Sequence, residues 1–271
     1  MVQSSKKRKD KKKLAASHNK SWIWGRHAVL EILEAGQWPI HKLHLSDSLG
    51  KQETDHAISL ANALNVKVMI DTPDRLRELC RTTEHQGYLA KMKPFPYATL
   101  NDLENVIGEK GDKATIAVLD RIQDPHNFGA IVRSAEVLGI TAIIISTTDQ
   151  ADVTPAVARA SSGAVNHIPI FQTEDLAQTL EISLQNEGTI IAATEKGTSL
   201  DSENPFDSNA SAPIVIILGN EGQGISSALL ELCSHQVQIP QKGNIRSLNV
   251  AAAAAILFYE ATRSLQDPAT H

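Results

Sequence analysis

Residues 213–263 read PIVIILGNEGQGISSALLELCSHQVQIPQKGNIRSLNVAAAAAILFYEATR. The run Ile214 to Leu218 is short, apolar and β-branched, the signature of a strand buried on both faces of a parallel sheet. It ends in Gly219-Asn220-Glu221-Gly222-Gln223-Gly224. Three glycines in this hexapeptide permit a tight turn and close approach of a ligand to the backbone. A helix pattern follows over 225–233, then a short strand over 237–239. Pro240, Gly243 and Asn244 mark a second loop. Ser247 or Asn249 then caps a long helix that opens on Val250 and five alanines. Two such loops at the ends of two strands make a ligand crevice in an open α/β sheet.

The glycine spacing is neither the dinucleotide fingerprint nor a phosphate loop: no acidic residue ends a following strand, and no Gly-Lys-Ser/Thr closes the turn. A nicotinamide-dependent oxidoreductase is disfavoured on these grounds. Tight turns in a sheet would account for the glycines, and a backbone-held adenosyl ligand would as well.

Working outward, strands are expected near 115–119, 141–146, 166–170, 189–194, 213–218 and 236–239. Helices are expected near 128–138, 154–160, 174–186, 225–233 and 247–265. This alternation argues a parallel sheet with helices on both faces. Upstream, residues 22 to about 93 form a second, smaller α/β pattern. Its helices fall at 27–34 and 53–64 and from Thr72-Pro73 onward; its strands fall at 40–45, 66–70 and 88–92. The fold class is α/β, divided into a basic tail (1–20), a small domain (21–97), a linker (98–113) and a parallel-sheet domain (114–271).

Charge is uneven. The chain carries 26 Lys/Arg against 31 Asp/Glu, net −5. Residues 1–20 hold eight basic residues and one acidic, net +7, and the remainder is −12. A like-charge block such as Lys6 to Lys13 is expected to be disordered, either as a solvated tail with no specific role or in counterion-releasing contact with nucleic-acid phosphates. The acidic remainder is unlike a nonspecific nucleic-acid binder and compatible with an enzyme that reads folded RNA through a few placed side chains. Two cysteines, Cys80 and Cys233, far apart, give no disulfide framework or zinc site. No apolar run has the length of a membrane span. The expected setting is a reducing, cytoplasmic one, with no metal and no membrane.

Three separated stretches carry a family resemblance. They are Leu119 to Ala135 (LDRIQDPHNFGAIVRSA), Ile217 to Ile225 (ILGNEGQGI), and Ile239-Pro240 through Gly243 followed by Ser247-Leu248-Asn249-Val250. In this order and spacing they resemble the three motifs of the SpoU-type RNA ribose 2′-O-methyltransferases, over about Trp22 to Thr262. Gly25 to Glu31 (GRHAVLE) and His85-Gln86-Gly87 are similar to the group that methylates a guanosine ribose in large-subunit ribosomal RNA. The resemblance implies S-adenosylmethionine as cofactor, a ribosomal-protein-like RNA-binding domain at the N-terminal side, a deep trefoil knot near the C-terminus, and a homodimer. Gln241 stands where methionine is common in the third motif, and Ala251 where serine is common.

The resemblance further implies an active site of Asn127, Arg133, Glu221, Ser247 and Asn249. Read by themselves, Asn127, Ser247 and Asn249 are sound helix caps, and Glu221 is favourable charge at a helix entry. Arg133 is two positions beyond Ile131, about 200° around a helix, so it points away from the stripe of Phe128, Ile131, Val132, Ala135 and Leu138. An arginine there pairs with Glu136 or with a ligand. Guanidinium does not deprotonate in proteins, so a phosphate-holding fork is preferred over a base. For the cofactor, Gly219, Ile239 and Leu248 sit at strand–loop edges, with Thr194 at the end of the preceding strand. His126 and His167 are read as structural.

The C-terminal helix shows Val250, Ala254, Leu257 and Ala261 on one stripe, widened by Ala253 and Ile256. More than one face then asks for burial, and a two-fold partner helix would supply it. Ala254→Arg is expected to separate subunits. Two further functions share these features: a tRNA ribose methyltransferase, and a noncatalytic RNA-binding assembly factor that has kept the fold.

Overall fold

The computed structural model of the protein describes residues 21–184, 188–202, 204–206, 213–244 and 247–264. The basic tail and the last position of the expected C-terminal helix lie outside these residues.

In chain order the elements begin β1 (Trp22–Trp24), α1 (Arg26–Ala35), β2 (Ile40–Ser46), α2 (Lys51–Ala63), β3 (Val68–Asp71), α3 (Pro73–Cys80), β4 (Tyr88–Met92) and α4 (Leu100–Lys110). They continue β5 (Thr115–Asp120), α5 (Pro125–Val137), β6 (Ala142–Ser146), α6 (Pro155–Ala160), β7 (Ile170–Thr173) and α7 (Leu176–Leu184). The last are β8 (Thr189–Ser199), β9 (Ile214–Gly219), α8 (Ser227–Glu231), β10 (His235–Gln238) and α9 (Val250–Ser264). The chain forms two compact units. One comprises the residues up to Pro96 with Val153–Asn166; the other comprises Tyr97–Asp152 with the residues from His167 on.

The first unit has a four-stranded sheet in the order β1-β4-β2-β3. β1 is absent from the sequence reading. It is three residues long and pairs antiparallel with β4, too short to leave a periodic signal. Helix α3 starts as its sequence requires: Thr72 Oγ1 accepts from the Arg75 amide at 3.3 Å and Pro73 fills the first turn. Helix α1 has no such cap in its own sequence. Gly25 precedes it, and Gln86 supplies the acceptor from 60 residues away, its Oε1 taking the Arg26 amide at 3.0 Å. The two short stretches that set the small domain's resemblance therefore meet in space. Gln86 and Gly87 hold positive φ of 51° and 83° to make this turn. A side chain at Gly87 would strike Leu49 Cδ2 at 2.6 Å. Helix α6 belongs to this unit too, with the Arg159 guanidinium 3.8 Å from the centre of the Trp24 ring.

The second unit is built on a six-stranded sheet in the order β10-β8-β9-β5-β6-β7, parallel at every pairing. β5 is buried along its whole length and β9 up to Leu218, which is why both read as unbroken apolar runs. Each fully buried aliphatic side chain there contributes about 1.5–3 kcal/mol. Helix α4 occupies the stretch between the two patterns, and its Leu103 is fully buried in this unit's core. The strand expected over 166–170 starts later, at Ile170. The preceding residues form a short 3₁₀ turn, Ala164–Asn166, and Pro169, lacking an N–H, cannot donate to a ladder, though its carbonyl accepts the Ile143 amide at 3.0 Å.

Helix α9 packs on α5 and β9. Val250, Ala254, Leu257, Phe258 and Ala261 are buried within the subunit, whereas Ile256 and Tyr259 are 39% and 54% exposed. This corrects the expectation for Ala254, which faces the subunit's own core.

Candidate functional site

The site lies at the C-terminal ends of β5 and β9, which are hydrogen-bonded neighbours from Thr115↔Ile214 to Asp120↔Gly219. The chain leaves β5 toward β6 on one side of the sheet. It leaves β9 toward β10 on the other. Their outgoing loops part and open a crevice, the topological switch point of an open parallel sheet.

The β5 loop leads into α5. Asp124 is the N-cap, its side chain accepting from the His126 amide at 2.9 Å, and Pro125 occupies the first helical position. Asn127 is therefore inside the first turn and is not the cap, a correction that the Asp124-Pro125 pair explains. Its amide is free to turn outward. Asn127 Nδ2 donates to Glu221 Oε1 at 2.9 Å. Asn249 Nδ2 donates to Asn127 Oδ1 at 2.9 Å and approaches Glu221 Oε1 at 3.3 Å. Of the two caps expected for α9, the structure chooses Asn249: its Oδ1 accepts from the Ala251 amide at 2.9 Å. One asparagine thus starts the helix with its oxygen and joins the cluster with its nitrogen.

These three residues come from the three motif stretches. The other two expected catalytic residues stay outside their hydrogen bonds. Arg133 is exposed on α5, opposite the buried Phe128, Ile131, Val132 and Ala135. It has no ion pair or hydrogen bond among the described residues, so the expected pairing with Glu136 is not formed. Ser247 is exposed, and its side chain meets no hydrogen-bond partner among the described residues.

Of the expected cofactor positions, Gly219 and Ile239 stand at strand ends, and Thr194, expected to end its strand, does not. Gly219 closes β9, and a Cβ there would lie 2.5 Å from the Gly224 carbonyl carbon. The glycine is needed because the loop folds back on itself: the Gly224 amide donates to the Asn220 carbonyl at 2.8 Å. Ile239 is half-buried just past β10, and Leu248 is 42% exposed. Thr194 lies within β8, which runs on to Ser199. The β8–β10 ladder pairs Ala192 with Gln236 and then Thr198 with Val237, so residues 193–197 leave it. Thr194 Oγ1, at the start of this excursion, is buried and without a hydrogen-bond partner among the described residues. An unmet hydroxyl inside β8 and half-open apolar side chains just past β10 and just before α9 suit an adenosyl group held by backbone and van der Waals contact. Among the described residues no cluster of His, Cys, Asp or Glu could hold a metal ion.

Sequence reasoning missed a second set of residues. Asp120, 4% exposed, accepts from Arg121 Nε and Nη2, each at 2.9 Å, and from the Ser226 amide at 2.7 Å. Arg121 also donates to Gln223 Oε1 at 2.7 Å and to the Gly224 carbonyl at 3.2 Å. The bond to Asp120 raises the Arg121 pKa further, against a smaller opposing effect of burial. Asn220 donates to the Arg121 carbonyl at 2.9 Å, and its Oδ1 accepts from the amides of Gly222 and Gln223. The available signal was a charged pair ending an otherwise apolar strand, and an Asn beside Gly at a turn.

Comparison with known proteins shows the family. Residues 114–259 match the SpoU rRNA Methylase family, and residues 22–98 match the RNA 2'-O ribose methyltransferase substrate binding domain. A Staphylococcus aureus protein assigned by name to the TrmH family of tRNA/rRNA methyltransferases is 33% identical over 246 residues, 90% of this chain and 96% of that protein. A Bacillus subtilis protein similarly assigned is 31% identical, over 91% and 97%. Among solved structures, the SpoU methyltransferase AviRb from Streptomyces viridochromogenes, in complex with AdoMet, superposes with a TM-score of 0.72 at 27% identity, covering 90% of this chain and 89% of that one. An rRNA methyltransferase from Sinorhizobium meliloti gives 0.75 at 25% identity, covering 91% and 88%. A catalytic-domain match across more than half the chain, relatives matched nearly end to end, and three motif stretches converging on one crevice make a single conclusion: this chain belongs to the SpoU rRNA methylase family of RNA methyltransferases.

Proposed function

We propose that the chain methylates the ribose 2′-hydroxyl of a guanosine in large-subunit ribosomal RNA, with S-adenosylmethionine as donor. The observation that carries methyl transfer is the Asn127–Glu221–Asn249 cluster, a set of oriented polar groups at the mouth of a parallel sheet; the guanosine and large-subunit target rests on the resemblance of Gly25 to Glu31 and His85 to Gly87. When bound, the cofactor supplies a methyl on a sulfonium, already a good leaving group. The protein's share is to align the attacking hydroxyl and to stabilise charge as its proton leaves.

In this reading Gly219, Ile239 and Leu248 hold the adenosyl group through backbone contacts and apolar packing, and Thr194 offers its unpaired hydroxyl. Glu221 and Asn127 orient the ribose. Asn249 keeps both in place, and Ser247 lines the same edge. Arg133, exposed and uncommitted, holds the target phosphate in a two-pronged grip and stabilises developing alkoxide charge. It is no base, because guanidinium keeps its proton.

The organisation proposed is residues 21–97 for RNA binding, 98–113 as joint and 114–271 for methyl transfer, with the basic tail on RNA phosphates. The family resemblance carries the trefoil knot. A second copy of the chain is proposed to cover the apolar face left on α9 by the exposed Ile256 and Tyr259. No described helix is long and apolar enough to cross a membrane, and a cytoplasmic site of action is proposed.

The test is to map 2′-O-methyl groups in ribosomal RNA and tRNA with and without the gene. Loss of one guanosine methyl from large-subunit ribosomal RNA is expected. Loss from tRNA alone would overturn the substrate. No loss anywhere, with no mass shift on soaking in S-adenosylmethionine, would favour the noncatalytic assembly factor.

A further inference from the structure

We infer that Arg121 is a positioning residue for methyl transfer: it clamps the glycine loop of β9 to the end of β5 and thereby sets Glu221 against Asn127. The inference rests on the function proposed above and adds a residue to it.

The loop 219–224 is glycine-rich, and such a chain has many conformations to lose. Glu221 sits in its middle and is exposed, so packing does not hold it. Its neighbours on both sides are tied to Arg121. The guanidinium reaches Gln223 Oε1 at 2.7 Å and the Gly224 carbonyl at 3.2 Å. The Arg121 carbonyl takes Asn220 Nδ2 at 2.9 Å. The guanidinium is itself fixed by a two-pronged bond to the buried Asp120, whose carboxylate also takes the Ser226 amide where the loop ends. Each of these anchors of the loop returns to residues 120 and 121, six or seven positions before Asn127.

The backbone of Arg121 supports this assignment. Its φ is 63°, a left-handed conformation that a residue with a side chain rarely adopts and that persists where surrounding bonds over-determine it. That conformation accompanies a side chain doubled back on its own neighbour Asp120 while reaching the glycine loop. Lysine carries the charge, but its three donors sit on one nitrogen and cannot reproduce the four bonds that Arg121 makes from three nitrogens to Asp120, Gln223 and Gly224.

The test uses the full-length chain with two variants. Arg121→Lys keeps a cation beside the buried Asp120, and Gln223→Ala removes one tether at an exposed position. Single-turnover methyl transfer is measured with radiolabelled S-adenosylmethionine and deproteinised large-subunit ribosomal RNA from cells lacking the gene. Amide exchange is followed at Gly222, Gln223 and Ser226. In Arg121→Lys the rate at saturating cofactor is expected to fall about tenfold or more, with a smaller fall in Gln223→Ala. In a Glu221→Ala background the same changes are expected to cost less than about twofold, because residues acting through one another are non-additive. The three loop amides exchange faster in Arg121→Lys, while those of β9 do not change. Equal losses in both backgrounds, or an unchanged rate, would overturn the positioning role. Unchanged loop exchange would overturn the clamp. If the wild-type chain transfers no methyl group, the function reading fails, and the exchange measurement still decides whether Arg121 holds the loop.

Discussion

Asn249 Nδ2 lies 2.9 Å from Asn127 Oδ1 across 122 residues of chain. The same Asn249 caps α9 through its Oδ1. A helix start and a candidate catalytic contact are therefore one side chain, and the two roles separate by chemistry. Asn249→Asp keeps a good cap and replaces the donor facing Glu221 with an acceptor. Stability is expected to change by about 1 kcal/mol or less, while methyl transfer falls about tenfold or more. Thermal unfolding and turnover measured on the same preparation check this; parallel loss of both would assign Asn249 to folding alone.

Arg133→Ala is expected to abolish methyl transfer and leave cofactor binding intact. The residue is exposed and has no partner among the described residues, so folding stability should move by less than about 0.5 kcal/mol. Near-normal turnover by the folded variant would sink its role.

Two substitutions on α9 are expected to part company. Ala254 is fully buried in its own subunit. Ala254→Arg puts an unpaired charge in the core and should cost on the order of 4 kcal/mol, read as a lowered Tm. Ile256→Glu changes an exposed position, leaves Tm nearly unchanged and should separate a dimer, read by light scattering. A monomeric wild-type mass at micromolar concentration, with full activity, refutes the dimer.

Removing residues 1–20 is expected to weaken RNA binding mainly at low salt, because seven net charges are screened as ionic strength rises. Each phosphate that the tail neutralises on duplex RNA should add about 0.9 to the salt slope, taking the DNA value as guide, and truncation should remove that share. An unchanged affinity and slope would show that the tail does not touch RNA.

His85 is buried, and burial lowers its pKa from 6.5, with Arg77 adding to the effect and a bond to the Pro73 backbone opposing it. The unfolded chain then binds a proton more readily than the folded one. Stability from this group is present above pH 6.5 and is lost as pH falls from 6.5 toward the lower folded value. The fall in Tm from pH 7.5 to 5.5 should be smaller in His85→Gln than in the wild type. An equal fall in both would exclude His85 as the source.

Much of this protein was legible as sequence because its strands are buried on both faces. Ile214 to Leu218 is apolar and β-branched throughout, and its alternation with helix patterns leaves few architectures open. The glycine loop is likewise local, whereas the start of α5 was read three residues late, with Asn127 taken as the cap in place of Asp124. The strand expected at 166–170 was misplaced because the residues of the 3₁₀ turn are buried like those of the strand, and over so few residues the two look alike. β1 was missed because Trp22–Trp24 is ordered by β4, not by its own pattern.

Local chemistry determined which residues can form helices, strands and turns, and which side chains are able to donate, accept or carry charge. It could not say that Asn127 turns its amide to Glu221 from inside the first turn of α5, that Gln86 completes a helix 60 residues away, or that Asn249 closes on both. Those are distances between segments far apart in the chain, and only the sheet order sets them. With β9 seated beside β5, the loops that carry Arg121 and Gln223 come within hydrogen-bond reach, and a solvated arginine becomes a fixed one. Tertiary structure decided the partners because a hydrogen bond acts over about 3 Å, whereas the sequence records only order along the chain.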